Sequence, residues 1–239
     1  MGFYEELSKH YDDVFPFKEM TYKFLEKRFS SNGRVLDIAT GTGNYAVALA
    51  EGNYDVTAID LDNEMIDALK VKSAQMDLSI QSTVMNMLDL KDLDSETFDG
   101  IFCIGNSLVH LQTIEDIKTA CKEIYKKLKI GGSLVVQIVN YDRILERDVK
   151  DLPLINRPDK GVKFIRKYDY IDKMIHFKTR LIVENDQTYD NVITLYPLRS
   201  EAFVGLLEEI GFKDIELFGG FDEQAFSMDA FPLIVSAKK

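Results

Sequence analysis

Two aspartates flanking a glycine-rich turn are the first residues in this chain that could do chemistry. The stretch VLDIATGTGNYAVALA, Val35 to Ala50, sets Asp37 at the end of an apolar run, with Gly41 and Gly43 after it. Glycines there let the backbone turn sharply and approach a ligand with no Cβ in the way. The next apolar run, YDVTAID, ends in Asp60. A carboxylate at that place can accept hydrogen bonds from both hydroxyls of a ribose. The dinucleotide pattern G-x-G-x-x-G/A is formally met by Gly41, Gly43 and Ala46. Asp37 beside the turn, however, would repel a pyrophosphate and suits a ligand that carries positive charge.

These residues need a strand before the turn, a helix after it and a parallel neighbour. Strands are expected at Arg34–Ile38, Asp55–Ile59, Ser79–Met85, Asp99–Ile104 and Ser133–Val139, with helices over Asn44–Glu51, Asn63–Ser73 and Thr113–Leu128. Such alternation implies right-handed crossovers and a parallel sheet covered on both faces, a doubly wound α/β core. Residues 3–30 have helical spacing in two pieces broken near Pro16. After Asn140 the pattern changes. Residues 141–161 are polar and proline-punctuated and read as an irregular excursion. Residues 162–198 alternate apolar and polar, with turn signals at YIDK and NDQ, which predicts three antiparallel strands. A helix over Ser200–Ile210, stopped by Gly211, and the strands FKDIELFG and AFPLIVSAKK close the chain. The expected fold is a Rossmann-like, mostly parallel seven-stranded sheet with an antiparallel C-terminal strand and an inserted antiparallel β meander. The expected division is a helical lid and α/β core (1–140), a meander over the pocket (141–198), and a helix and two strands completing the sheet (199–239).

Composition narrows the partners. The net charge of −11 repels phosphate backbones at long range, so no nucleic-acid partner is expected. The two cysteines, Cys103 and Cys121, fit no disulfide framework or metal spacing; they read as buried thiols in a reducing compartment, and no metal site is expected. The N-terminus is too acidic for a signal peptide, and no apolar run reaches the roughly 18 residues of a membrane span. A cytoplasmic protein without membrane contact is expected, its oligomeric state left open, a homo-oligomer included.

S-adenosyl-L-methionine carries an ammonium and a sulfonium, the charges Asp37 would suit. VLDIATGTG together with AIDLDNEMI resembles the first two motifs of the class I S-adenosylmethionine-dependent methyltransferases, and the match runs through the parallel core. The resemblance implies that Asp37 steers the turn and the ligand ammonium, that backbone around Ala39 and Gly41 lines the methionine part, and that Asp60 holds the ribose with Leu61 against the adenine. In VMNMLDL it implies Asn86 as acceptor for the adenine amino group, with Met87 beneath the ring. Ile104 would offer its carbonyl to the ammonium. As side chains, Met87 and Ile104 read equally well as core packing. S-adenosyl-L-homocysteine would be the spent form of the donor.

At the reaction end, CIGNSLVHL followed by VNYDRIL is similar to the glycine N-methyltransferase-like branch. That likeness brings in Asn106 and His110, four apart and on one face if locally helical. Tyr11, Lys18 and Tyr22 fall at spacings of residues that close over the cofactor, with Lys18 pairing the methionine carboxylate. Tyr11 could also shield the cation near the reacting methyl. His110 is a candidate base, or equally a histidine that orders the loop through Asn106 or Ser107. Tyr196 reads as a pocket residue or as packing. His10 and His176 show no partners by spacing.

One departure matters. Where that branch has an arginine gripping the glycine carboxylate, just before NYD, this chain has Val139. Arg166 or Arg180 could take over, although a solvated strand position is the simpler reading of both. The sequence therefore implies methyl transfer by in-line displacement to nitrogen or oxygen of a small molecule, without naming glycine. A protein or RNA methyltransferase, a nicotinamide-dependent oxidoreductase and a non-catalytic binder are the competing readings.

Overall fold

The structure is a computed structural model that describes residues 2–94, 97–183 and 187–239. Two helices open the chain, α1 (Phe3–Val14) and α2 (Glu19–Glu26). The core follows as β1 (Arg34–Ile38), α3 (Asn44–Glu51), β2 (Asp55–Asp60), α4 (Asn63–Gln75), β3 (Ile80–Val84), β4 (Phe98–Cys103), α5 (Ile114–Lys127) and β5 (Leu128–Val139). Periodicity explains these elements. In α5, Thr113 accepts a hydrogen bond from the Asp116 N–H at 3.0 Å, and Ile117, Ala120, Cys121 and Ile124 form one buried stripe. Both cysteines are buried and unbonded.

The main sheet runs β10-β11-β5-β4-β1-β2-β3, completed by α7 (Ser200–Ile210), β10 (Lys213–Phe218) and β11 (Pro232–Lys238). Strand β11 is antiparallel to both β5 and β10, and β1 to β5 are mutually parallel. One apolar cluster lies under α5 and α7, and a second lies under α2 and α3. Strand β1 pairs with β2 on one side and β4 on the other. Strand order therefore reverses at β1, and the crevice beyond the carboxyl ends of β1 and β4 is where doubly wound sheets bind ligands.

A second sheet, β6-β7-β8-β9, is antiparallel. Its strands are β6 (Ile155–Arg157), β7 (Val162–Ile171), β8 (Met174–Val183) and β9 (Gln187–Leu195). Four strands replace the expected three, because a short run in the proline-punctuated excursion pairs with β7. The YIDK turn is a two-residue hairpin loop with Asp172 and Lys173 at φ of 51° and 66°, the left-handed pair that matches strand twist. The turn expected at NDQ lies largely outside the described residues. Helix α1 packs Leu7 and Val14 against Val162, Phe164, Leu181 and Val183 of this sheet.

The excursion after Asn140 also differs from expectation, since it opens with helix α6 (Tyr141–Glu146). Asn140 is the reason. Its Oδ1 caps the helix by accepting from the Arg143 N–H at 3.1 Å, while Nδ2 faces the carbonyls of Ser227, Met228 and Ala230 at 3.2, 3.2 and 2.9 Å. Strand β5 begins at Leu128 rather than Ser133. Asn140 is fully buried, so Asn140→Ala removes a cap and strands buried carbonyls. It should destabilise the fold by about 2–4 kcal/mol, read as a lower urea midpoint at unchanged m.

Candidate active site

The loop after β1 turns on left-handed backbone. Gly41 and Gly43 have φ of 56° and 78°, and neither could carry a side chain. A Cβ on Gly41 would stand 2.8 Å from the Tyr11 ring and hydroxyl, and one on Gly43 would collide with Leu69. Ala39 also has positive φ, 59°, a conformation costing an L-residue about 1–2 kcal/mol. The loop is held by Thr40 N–H donating to Ile59 at 2.9 Å and by Gly41 N–H donating to Asp60 Oδ2 at 2.8 Å.

Inside this loop lies Asp37, only 4% exposed. The Thr40 hydroxyl donates to it at 2.6 Å, and among the described residues no cation pairs with it. Burial, reinforced by Asp60 and only partly countered by Thr40, pushes its pKa up to about 7. Asp60 accepts from the N–H groups of Gly41 and of Asp62, the latter at 3.0 Å. Burial raises its pKa, with those N–H groups pulling it back. A carboxylate has about four acceptor positions, so both oxygens can still receive ribose hydroxyls. Leu61 beside it is 69% exposed and Val84 at the end of β3 is 44% exposed, a bare apolar rim of the kind an adenine face covers. Asn86 caps the 3-10 turn Met87–Asp92, its Oδ1 accepting from Leu88 N–H at 2.9 Å; one lone pair stays available beside the half-buried Met87. Ile104 is half-buried at the end of β4, its side chain packed on the second core cluster.

At the ends of β4 and β5, Asn106 joins neighbouring elements through its side chain. Its Oδ1 accepts from Val139 N–H at 2.9 Å, and its Nδ2 donates to the Tyr141 hydroxyl at 3.0 Å. It clasps β4 to β5 and α6. It takes φ of 73° and precedes a single 3-10 turn, Ser107–His110, so it does not share a helical face with His110. His110 is exposed, yet the protein around its ring desolvates it enough to lower its pKa, favouring the neutral ring at pH 7. Tyr196, at the end of the meander, donates its N–H to Val109 at 2.9 Å.

Comparison with known proteins fits this geometry. A methyltransferase-domain model matches residues 35–132. The glycine/sarcosine N-methyltransferase of Aphanothece halophytica is 31% identical over 91% of this chain and 81% of its own length. That of Halorhodospira halochloris is also 31% identical, over 87% and 74%. The chain belongs to the class I S-adenosylmethionine-dependent methyltransferases. Among solved structures, an S-adenosylmethionine-dependent methyltransferase from Clostridium acetobutylicum shares the fold with a TM-score of 0.82 at 19% identity, covering 98% of both chains. The CcbJ methyltransferase of Streptomyces caelestis does so with 0.83 at 17%, covering 99% of this chain and 98% of that one. S-adenosylmethionine is the methyl donor.

The residues of this methyltransferase fit that donor. A buried, cation-free carboxylate at the switch point suits an ammonium, and it would oppose a pyrophosphate. The N-terminal elements are arranged differently from expectation. Tyr11 lies over Gly41, but Tyr22 turns away, its hydroxyl donating to Glu26 at 3.1 Å and lying against Gly52 at the far end of α3. Tyr45 is the second tyrosine near Asp37, its hydroxyl bonded to Thr21 and the Lys18 backbone. Lys18 is exposed and caps α2 through its backbone. His10 is not partnerless either, lying 3.6 Å from Glu6 and 3.9 Å from Asp13.

Sequence reading missed Asp12. It accepts from Thr42 at 2.6 Å, Asn44 at 2.9 Å and Lys72 at 2.8 Å, fastening α1 to the glycine loop. Burial raises its pKa, but Lys72, Thr42 and Asn44 outweigh this and hold it below the usual carboxylate value. Only the helical neighbourhood of Tyr11 could have signalled it.

Asp37 yields two measurable outcomes. Its folded-state pKa, raised from 3.8 to about 7, makes the native state bind more protons than the unfolded one in that window. Stability therefore falls as pH rises from about 4 to 7, by about 4 kcal/mol in all. Asp37→Asn should raise the unfolding midpoint of the ligand-free protein at pH 8, do little at pH 3.5, and abolish calorimetric binding of S-adenosylhomocysteine. In the wild type that affinity should fall about tenfold per pH unit below 7, because the ammonium selects ionised Asp37. Asp60→Ala should weaken the same affinity by 10-fold or more; an unchanged Kd would remove Asp60 from the ribose role.

Proposed function

We propose that this methyltransferase transfers the methyl group to a nitrogen of a small molecule by in-line displacement. The observation that carries the reading is a gathering of side chains from distant elements: Asn106 and His110 beyond β4, Tyr141 beyond β5, and Tyr196 beyond β9, where the meander meets the turn Ser107–His110. The glycine/sarcosine N-methyltransferases that match along most of the chain support nitrogen as the acceptor atom. A sheet over the strand ends favours a small acceptor over a protein or RNA surface, and the acidic charge balance does the same for RNA.

Asp37 and the backbone around Ala39, Gly41 and Ile104 would hold the amino-acid part of the donor, and Asp60, Leu61, Asn86 and Met87 its nucleoside. The bound sulfonium supplies an already activated methyl group. The chain's residues therefore align and desolvate, and such positioning can lower a barrier by roughly 7–11 kcal/mol. Tyr11, packed on Gly41 and fixed by the Asp12 clasp beside it, closes the site from the N-terminal side. An amine must arrive without its proton. The neutral His110 ring is the group near the acceptor side able to take one, directly or through water.

The test is transfer of labelled methyl from S-adenosylmethionine to a panel of primary and secondary amines, with tRNA and a protein extract as parallel acceptors. Label on nitrogen of a small amine is expected. Label confined to tRNA or protein would overturn the proposal. Within that assay, His110→Asn should lower kcat 10-fold or more below pH 8 while leaving S-adenosylhomocysteine affinity unchanged.

A further inference from the structure

The inner face of the meander carries a row of polar side chains that the cofactor site does not use. Along β7, Val162, Phe164, Arg166 and Tyr168 alternate inward. Register aligns Arg166 with Thr179 on β8 and Thr179 with Asn191 on β9. On either side of this row the inward face is apolar or aromatic. Phe164 meets Phe15 of the N-terminal segment at 5.8 Å, and Phe15 meets Tyr11 at 5.1 Å, which leads to the glycine loop. Tyr168 is near Tyr141, which leads to Asn106. Arg166 thus lies midway along a span of about 13 Å joining the donor side to the acceptor side.

Its chemistry is unspent. Nη2 donates to the Pro153 carbonyl at 2.8 Å, which fixes the guanidinium, but Nε is buried without a partner. The Tyr168 hydroxyl, on a residue 2% exposed, is also buried without one. No carboxylate pairs with Arg166 among the described residues, whereas three outward cations of the same sheet are matched. Lys167 meets Asp151 at 3.5 Å, Arg180 grips Asp190 at 2.6 and 2.9 Å, and Lys178 pairs with Asp169. Arg180 therefore faces outward and is already paired, while Arg166 departs from the solvated position expected of it. An isolated half-buried guanidinium is costly unless an anion joins it, and burial accordingly lowers its pKa. A surface concavity of about 230 Å³ between α6 and the meander shares Tyr168 with this row but touches neither Asp37 nor Asn106.

We propose that Arg166, with the Tyr168 hydroxyl, binds a carboxylate on the methyl acceptor, so that the substrate is an amine bearing an acidic group held from the meander rather than from the end of β5. This rests on the methyl-transfer reading above. It accounts for Val139: the anchoring charge has moved from β5 to β7, and an acceptor longer than glycine fits the displaced anchor.

The experiment is thermal unfolding of the full chain saturated with S-adenosylhomocysteine. The probes are glycine, 4-aminobutyrate and 4-aminobenzoate, each against its own carboxamide at matched ionic strength. At least one acid should stabilise the wild type more than its amide. Arg166→Met should lose that difference, with apparent affinity down 10-fold or more, and Arg166→Lys should keep part of it as a point charge. Should Arg166→Met not fold, Arg166→Lys and Tyr168→Phe carry the comparison. Acids no better than their amides in the wild type, or a difference that survives in the variants, would overturn the proposal. Failure of S-adenosylhomocysteine itself to stabilise the wild type would instead sink the methyl-transfer reading.

Discussion

A buried carboxylate with no cation beside it among the described residues is the constraint around which the strand ends are arranged. Asp37 sits where strand order reverses, at the one place in a doubly wound sheet where the crossovers leave a crevice. Among the described residues its side chain is hydrogen-bonded by Thr40 alone, so the ionised form carries a charge without a counter-ion. That is a stability cost accepted at a functional site. The surrounding features follow from it. The loop must pass close to the carboxylate on left-handed backbone, Asp60 must tether the loop through Gly41, and α1 must be fastened over it through Asp12.

The same logic separates the two halves of the pocket. The donor half is built from strand ends and short loops of the parallel core, with negative potential from Asp37 and Asp60. The acceptor half is built from elements far apart in the chain: the β4 and β5 ends clasped by Asn106, the Tyr141 hydroxyl delivered by α6, and the inner face of the meander. On the inner face of the meander, Arg166 has no carboxylate partner among the described residues. In the proposed reading Arg166 would hold the acid of the acceptor, and its neutral amine would face the bound sulfonium.

Legibility differed sharply between these halves. Asp37, Gly41, Gly43, Asp60 and Leu61 could be read from the sequence because each sits at a strand end or in the turn that follows, where local pattern and position coincide. The direction of Tyr22 was less legible, for the opposite reason. Its spacing from Tyr11 is measured along a chain broken at Pro16, and the break rotates α2 so that the ring faces Glu26 and Gly52. Asn106 and His110 were expected to share a helical face, but a single 3-10 turn entered through a left-handed asparagine separates them. The irregular excursion became α6 because Asn140 caps it and anchors it to a segment some 90 residues later, a contact no window of sequence contains.

What the sequence determined by itself was the alternation of strands and helices, the parallel core with its antiparallel last strand, and the acidic glycine turn suited to a cationic adenosyl donor. Periodicity and turn chemistry are local, so they survive in a string of letters. What the tertiary structure decided was which polar groups end up without partners. Arg166 and Arg180 look alike as alternating strand residues. Register alone turns one outward onto Asp190 and the other to the inner face of the meander, because side chains on a β strand switch faces with every residue.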